Sequence, residues 1–141
     1  MPNNWNDSNR GQGGNISHPG SLKENWITDR DAIDNNAVDW AENAGLYLKG
    51  SGLSTSSLRR FFGEIRRIQA DFDTFGGDVP LLRAKLAYDA NRKGKDGVQQ
   101  FYDLVKGAII AVGQDRAKFT NFVKLAEAIV AFHKAAGGSE K

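Results

Sequence analysis

Four arginines, Arg59, Arg60, Arg66 and Arg67, stand as two adjacent pairs seven positions apart, a pattern and a residue type suited to phosphate. The planar guanidinium forms bidentate hydrogen bonds to phosphate oxygens and stays charged at any relevant pH. On a helix with Leu58 set at zero, the four project between roughly 80° and 200°, away from an apolar stripe centred near roughly 340°. Seven residues of rise place Arg59 under Arg66 and Arg60 under Arg67, about 10 Å apart along the axis. Such rows can follow a phosphate backbone. The plainer reading is a solvated helix face, partly neutralised by Glu64 and Asp71, and spacing alone leaves both open.

A second basic window holds Arg83, Lys85, Arg92, Lys93 and Lys95 against Asp89 alone, with Lys93 and Lys95 flanking Gly94. This loop could wrap a phosphate. Arg92 and Lys93 also close a helix, where the negative end of the dipole favours cations by about 0.3 to 1 kcal/mol without any ligand.

Other chemistries find little footing. With no cysteine in the chain, disulfides, thiol catalysis and thiolate metal sites are excluded. His18 sits in a polar N-terminal stretch and His133 on an apolar helical stripe, so they do not make a metal or catalytic pair. Asp71 and Asp73 lack a neighbouring base or an apolar setting of the kind acid–base work needs. There is no nucleophile elbow, P-loop or GxGxxG. The chain is expected not to be an enzyme and to need no cofactor or metal. Tyr88 and Tyr102 could stack on bases, although tyrosine on a helix more often covers the edge of a core.

The elements that would carry these residues are helical. Residues 1–24 are rich in Asn, Gly and Ser and are expected to form a disordered tail. A first helix is predicted from Thr28 or Asp29, with Asp29, Asp31 and Asp34 at its positive end, to the exit at Lys49, Gly50, Ser51 and Gly52. A second follows the Ser54–Ser57 cluster, with Leu58, Phe61, Phe62, Ile65, Ile68 and Phe72 on one face. A third, with Asp78 as N-cap and Pro80 in its first turn, runs to about Arg92. A fourth carries Val98, Phe101, Leu104, Val105, Ala108, Ile109 and Val112. A fifth follows Gly113, carrying Phe119 through His133, and ends at Gly137 and Gly138. No segment alternates with period two. The predicted fold is all-α, a compact bundle of about five helices over residues 25–138, with a short tail at 139–141.

A chain of 141 residues with 40% apolar and 26% charged composition fits one ordinary globular unit. No membrane-spanning run and no secretory leader are seen, so a cytoplasmic location is expected. The net charge of +2 hides an uneven distribution. Residues 25–50 carry two basic against five acidic groups, a net of −3, whereas residues 51–141 carry fifteen against ten, a net of +5. This two-signed surface suits RNA on one side and a basic neighbour on the other.

Three segments in order resemble the small subunit of type III-A CRISPR interference (Csm) complexes. Leu53-Ser54-Thr55-Ser56-Ser57-Leu58-Arg59-Arg60-Phe61-Phe62 through Ile65-Arg66-Arg67-Ile68 is similar to that family's second helix. Leu81-Leu82-Arg83-Ala84-Lys85-Leu86-Ala87-Tyr88 with Arg92 is similar to its third. Phe119, Phe122 and Glu127-Ala128-Ile129-Val130-Ala131-Phe132-His133-Lys134 are similar to its closing helix. Phe62 and Phe132 stand where the family pattern has tyrosine, which removes only a hydroxyl, and the N-terminal tail has no counterpart. The likeness spans about Leu53 to Gly138. It implies a non-catalytic subunit of the effector complex in antiviral defence, present in several copies. It also implies contact with the guide–target RNA duplex or target strand, while cleavage belongs to other subunits. Its implied partners are CRISPR RNA, target RNA, other Csm subunits and further copies of itself. The RNA face expected from likeness and outward direction is Arg59, Arg60, Arg66, Arg67, Arg92, Lys93 and Lys95.

Charge alone fits a second reading equally, a helical adaptor whose arginines bind acidic protein surfaces without RNA. A third, a DNA-binding helix-turn-helix with Gly76 and Gly77 in the turn, is disfavoured by its six-residue break and by the lack of Asn or Gln among the outward arginines.

Overall fold

The computed structural model describes residues 17–92 and 95–137. Among them are seven α-helices and no strand. The five long helices expected from the sequence are α2 (Asn35–Gly50), α3 (Thr55–Ala70), α5 (Leu81–Ala90), α6 (Val98–Val112) and α7 (Arg116–Ala135). Two short turns of helix, α1 (Asn25–Thr28) and α4 (Phe72–Phe75), and a 3-10 turn, Gly76–Asp78, fill the connections.

Side-chain oxygens set most of the starts. Asp34 accepts from the Ala37 amide at 2.9 Å, Ser54 from Ser57 at 3.1 Å, and Asp115 from Ala117 at 2.9 Å and Lys118 at 3.2 Å. Each bond satisfies an amide that the first helical turn leaves without a partner.

Three predicted starts are displaced. The first long helix begins at Asn35, not near Thr28 or Asp29, because Asp31 takes a φ of 50° that no helix continues through. In addition, the buried Asn121 side chain donates to the carbonyls of Ile27 at 3.0 Å and Asp29 at 2.9 Å, pinning the end of α1 as a separate turn that does not run on into α2. The second helix starts inside the serine cluster, at Thr55, with Ser54 as its cap. Asp78 does not cap α5; it lies in the 3-10 turn with its carboxylate turned to Arg67, and Pro80 stands at the N-cap.

α7 is the spine of the bundle, touched by α1, α2, α3 and α6, while α5 leans on α6. Its buried apolar residues, Phe119, Phe122, Val123, Leu125, Ala126 and Ile129, meet Leu48, Leu58, Phe61 and Ile65 in one continuous core. Each fully buried side chain of this size is worth about 1.5–3 kcal/mol. α2 and α7 approach closely at Gly45, where an added Cβ would lie 2.8 Å from the His133 amide nitrogen and 2.9 Å from Phe132 Cβ.

Of the stretch expected to be a tail, residues 1–16 lie outside the described residues, as do 138–141. Residues 17–24 run along the body. The Trp40 indole N–H donates to the Gly20 carbonyl at 2.9 Å, His18 meets the Tyr47 ring edge-on at 5.0 Å, and Leu22 packs against the core. An indole donor and one apolar side chain give this polar stretch its anchorage.

Candidate nucleic-acid interface

α3 presents its arginines because Leu58, Phe61, Ile65 and Ile68 are buried beneath. Arg59, Arg60 and Arg66 are exposed on the outer surface. Arg66 lies over the Phe62 ring, 5.5 Å from its centroid. Arg67 behaves differently. It is half-buried, donates to Asp78 at 2.9 Å and Glu64 at 3.4 Å, and lies 4.6 Å from the centroid of Phe75. The hydrogen bond to Asp78, aided by the charges of Glu64 and Asp78 against some desolvation, raises its pKa above the ordinary arginine value. Arg67 therefore ties α3 to the turn after α4, and three of the four arginines keep the outward role.

Glu64 is the centre of this ionic network. It accepts from Lys85 on α5 at 2.7 Å as well as from Arg67. The Lys85 hydrogen bond, with the charges of Lys85 and Arg67, holds its carboxyl below the ordinary glutamate value despite partial desolvation. Neither this link nor that between Asp78 and Arg67 is legible in the sequence. The i,i+3 spacing of Glu64 and Arg67 is the one local signal that points toward them.

The second basic window meets the first at Arg60. α5 faces α3 across a groove bordered by Arg60 from one helix and Lys85, Tyr88 and Asp89 from the other. Arg92, one residue past the α5 C-cap, donates to Asp89 at 3.1 Å and lies 5.6 Å from the Tyr88 ring centroid. Lys95 is partly buried, and Lys93 lies outside the described residues. Tyr88 does not cover a core edge as its type favours: it is 68% exposed. Tyr102 is partly buried against the core, with Lys106 over its ring at 5.4 Å.

His133 is fully buried. Its Nε2 lies 2.7 Å from the Leu53 carbonyl, which can only accept, so the proton sits on Nε2. The other ring nitrogen, Nδ1, has no hydrogen-bond partner. Gly97, at φ +79°, closes the same junction: a Cβ there would lie 2.5 Å from the Leu53 amide nitrogen. No group of three or more His, Asp or Glu side chains able to hold a metal ion occurs among the described residues. None of the described helices is long and apolar enough to cross a membrane.

These features define a class, the small all-helical protein whose surface presents charge and aromatic rings. The Csm2 Type III-A family model matches residues 32–139, from just before α2 to beyond α7, and the chain belongs to that family, the small subunit of the type III-A Csm complex. The match begins well before Leu53, where the sequence resemblance starts, and so takes in the whole of α2. No curated protein and no solved structure matches the chain.

Proposed function

We propose that this chain acts in the type III-A effector complex as a non-catalytic subunit that touches the guide–target RNA duplex or the target strand through its α3–α5 face. The observation that carries this reading is the exposed set of Arg59, Arg60 and Arg66 on α3, of which Arg60 also borders the groove against the end of α5. On such a face base pairing between the RNAs supplies sequence specificity, and the protein reads backbone charge and duplex shape. Several copies, each binding weakly, gain by acting on one RNA at high effective concentration. Arg92, Lys93 and Lys95 are assigned the same role from the sequence, whereas Arg67 serves it indirectly by fixing α3.

The test is binding of labelled single-stranded RNA and guide–target duplex over a salt series. The wild type is compared with Arg59→Ala/Arg60→Ala/Arg66→Ala, folding being checked by circular dichroism. The expected result is sequence-independent binding that weakens in the triple variant, with the salt slope shallower by about 0.7–0.9 for each phosphate that is no longer neutralised. A folded triple variant with unchanged affinity and slope overturns the assignment and favours the adaptor reading.

A further inference from the structure

The groove between α3, α5 and α6 has an architecture that phosphate contact alone does not need. Its floor is apolar, formed by Phe61, Leu86 and Phe101, and its volume is about 260 Å³. Small-molecule pockets run from roughly 300 to 1,000 Å³, so this one suits a single planar ring system; a helix with side chains, about 10–12 Å across, is too large. The rim mixes Arg60 as a donor with Glu64, Asp89 and the Ser57 hydroxyl as acceptors. Glu64 already accepts from Lys85 and Arg67 on Oε1, and a carboxylate with about four lone-pair sites retains further capacity. Tyr88 stands at the edge with most of its surface in water and the Arg92 guanidinium over its ring. Single-stranded RNA is recognised by this combination: an aromatic or guanidinium plane for the base face, polar groups for its edge, and cations for the flanking phosphates.

Resting on the RNA-binding reading above, we propose that the groove captures one unpaired, unstacked RNA base, with Tyr88 as the stacking platform. Ser57, Glu64 and Asp89 meet the edge of the base, and Arg60 meets its phosphate. The site distinguishes an RNA with an extruded base from a continuous duplex, although its contacts to the backbone are the same in both.

The experiment uses three RNAs: a duplex with one unpaired 2-aminopurine, the same duplex with an abasic residue at that position, and the fully paired duplex. Each is titrated with the full-length protein and with Tyr88→Ala and Tyr88→Phe; so exposed a residue can be changed without loss of the fold. Wild type and Tyr88→Phe should quench the 2-aminopurine and favour the unpaired-base RNA. Tyr88→Ala should lose the quenching and about five- to hundredfold of that affinity, as expected for one base–aromatic stack, with binding of the abasic RNA unchanged. If all three RNAs bind wild type equally and Tyr88→Ala changes nothing, the groove proposal fails and the RNA-binding reading stands. If Tyr88→Ala alters self-association and leaves RNA binding intact, the groove belongs to a protein neighbour and the proposal is overturned. If no RNA binds wild type at low salt, both fall.

Discussion

At the scale of single residues, the polar groups inside the bundle act as ties between segments far apart in sequence. His133 reaches Leu53 and Asn121 reaches Ile27 and Asp29, so each pins a distant loop or helix-end carbonyl to α7. His133→Phe keeps the ring bulk and removes the donor. The expected loss is about 1–3 kcal/mol for a buried carbonyl left unpaired, measured by urea unfolding. A loss below about 0.5 kcal/mol would mean that the Leu53 carbonyl finds another donor. The apolar spacing of the last helix marks His133 as a packed residue, but it cannot name the partner. The 80 positions between His133 and Leu53 are bridged only by the tertiary fold. Arg67 makes the same point from the surface. Its direction on the helix is legible in the sequence, while its engagement with Asp78 depends on a turn whose geometry no periodicity encodes.

At the scale of elements, apolar spacing identifies the five long helices because each buries one face, and it fails where starts depend on a single backbone angle, as at Asp31. The close passage of α2 over α7 is equally out of reach, since Gly45 sits inside a helix whose pattern needs no glycine. Gly45→Ala should cost about 1–3 kcal/mol through overpacking against the backbone of α7, although alanine is the better helix former. Gly107→Ala is the control: it lies within α6, is exposed, and its added Cβ would meet nothing within 4 Å. It should stabilise by about 0.5–1 kcal/mol. Thermal or urea unfolding of the two variants checks both signs, and equal effects would mean that the helix crossing is looser than this geometry.

At the scale of the whole molecule, the two halves of the charge distribution serve different ends. Residues 25–50 keep their negative excess on α1, α2 and the turn between them, while Arg67 and Lys85 are held at the surface by Glu64 and Asp78 and brace α3 against its neighbours. Because the folded state depresses the Glu64 pKa, its contribution is fully present above the ordinary carboxylate range and is lost as pH falls through the folded value. Glu64→Gln should therefore lower stability at neutral pH by about 0.2–1 kcal/mol, the range for a screened pair. The gap from wild type should close in acid, as read from urea midpoints at a series of pH values; a gap independent of pH would mean the side chain acts by packing alone. The central position of α7 carries a further consequence for synthesis. On the ribosome α2 and α3 emerge first, with the faces that α7 will cover still open to water, and the core cannot close until that helix has left the exit tunnel. Until then the nascent chain is a sticky intermediate, and chaperone capture or pairing with another unfinished copy competes with its own folding.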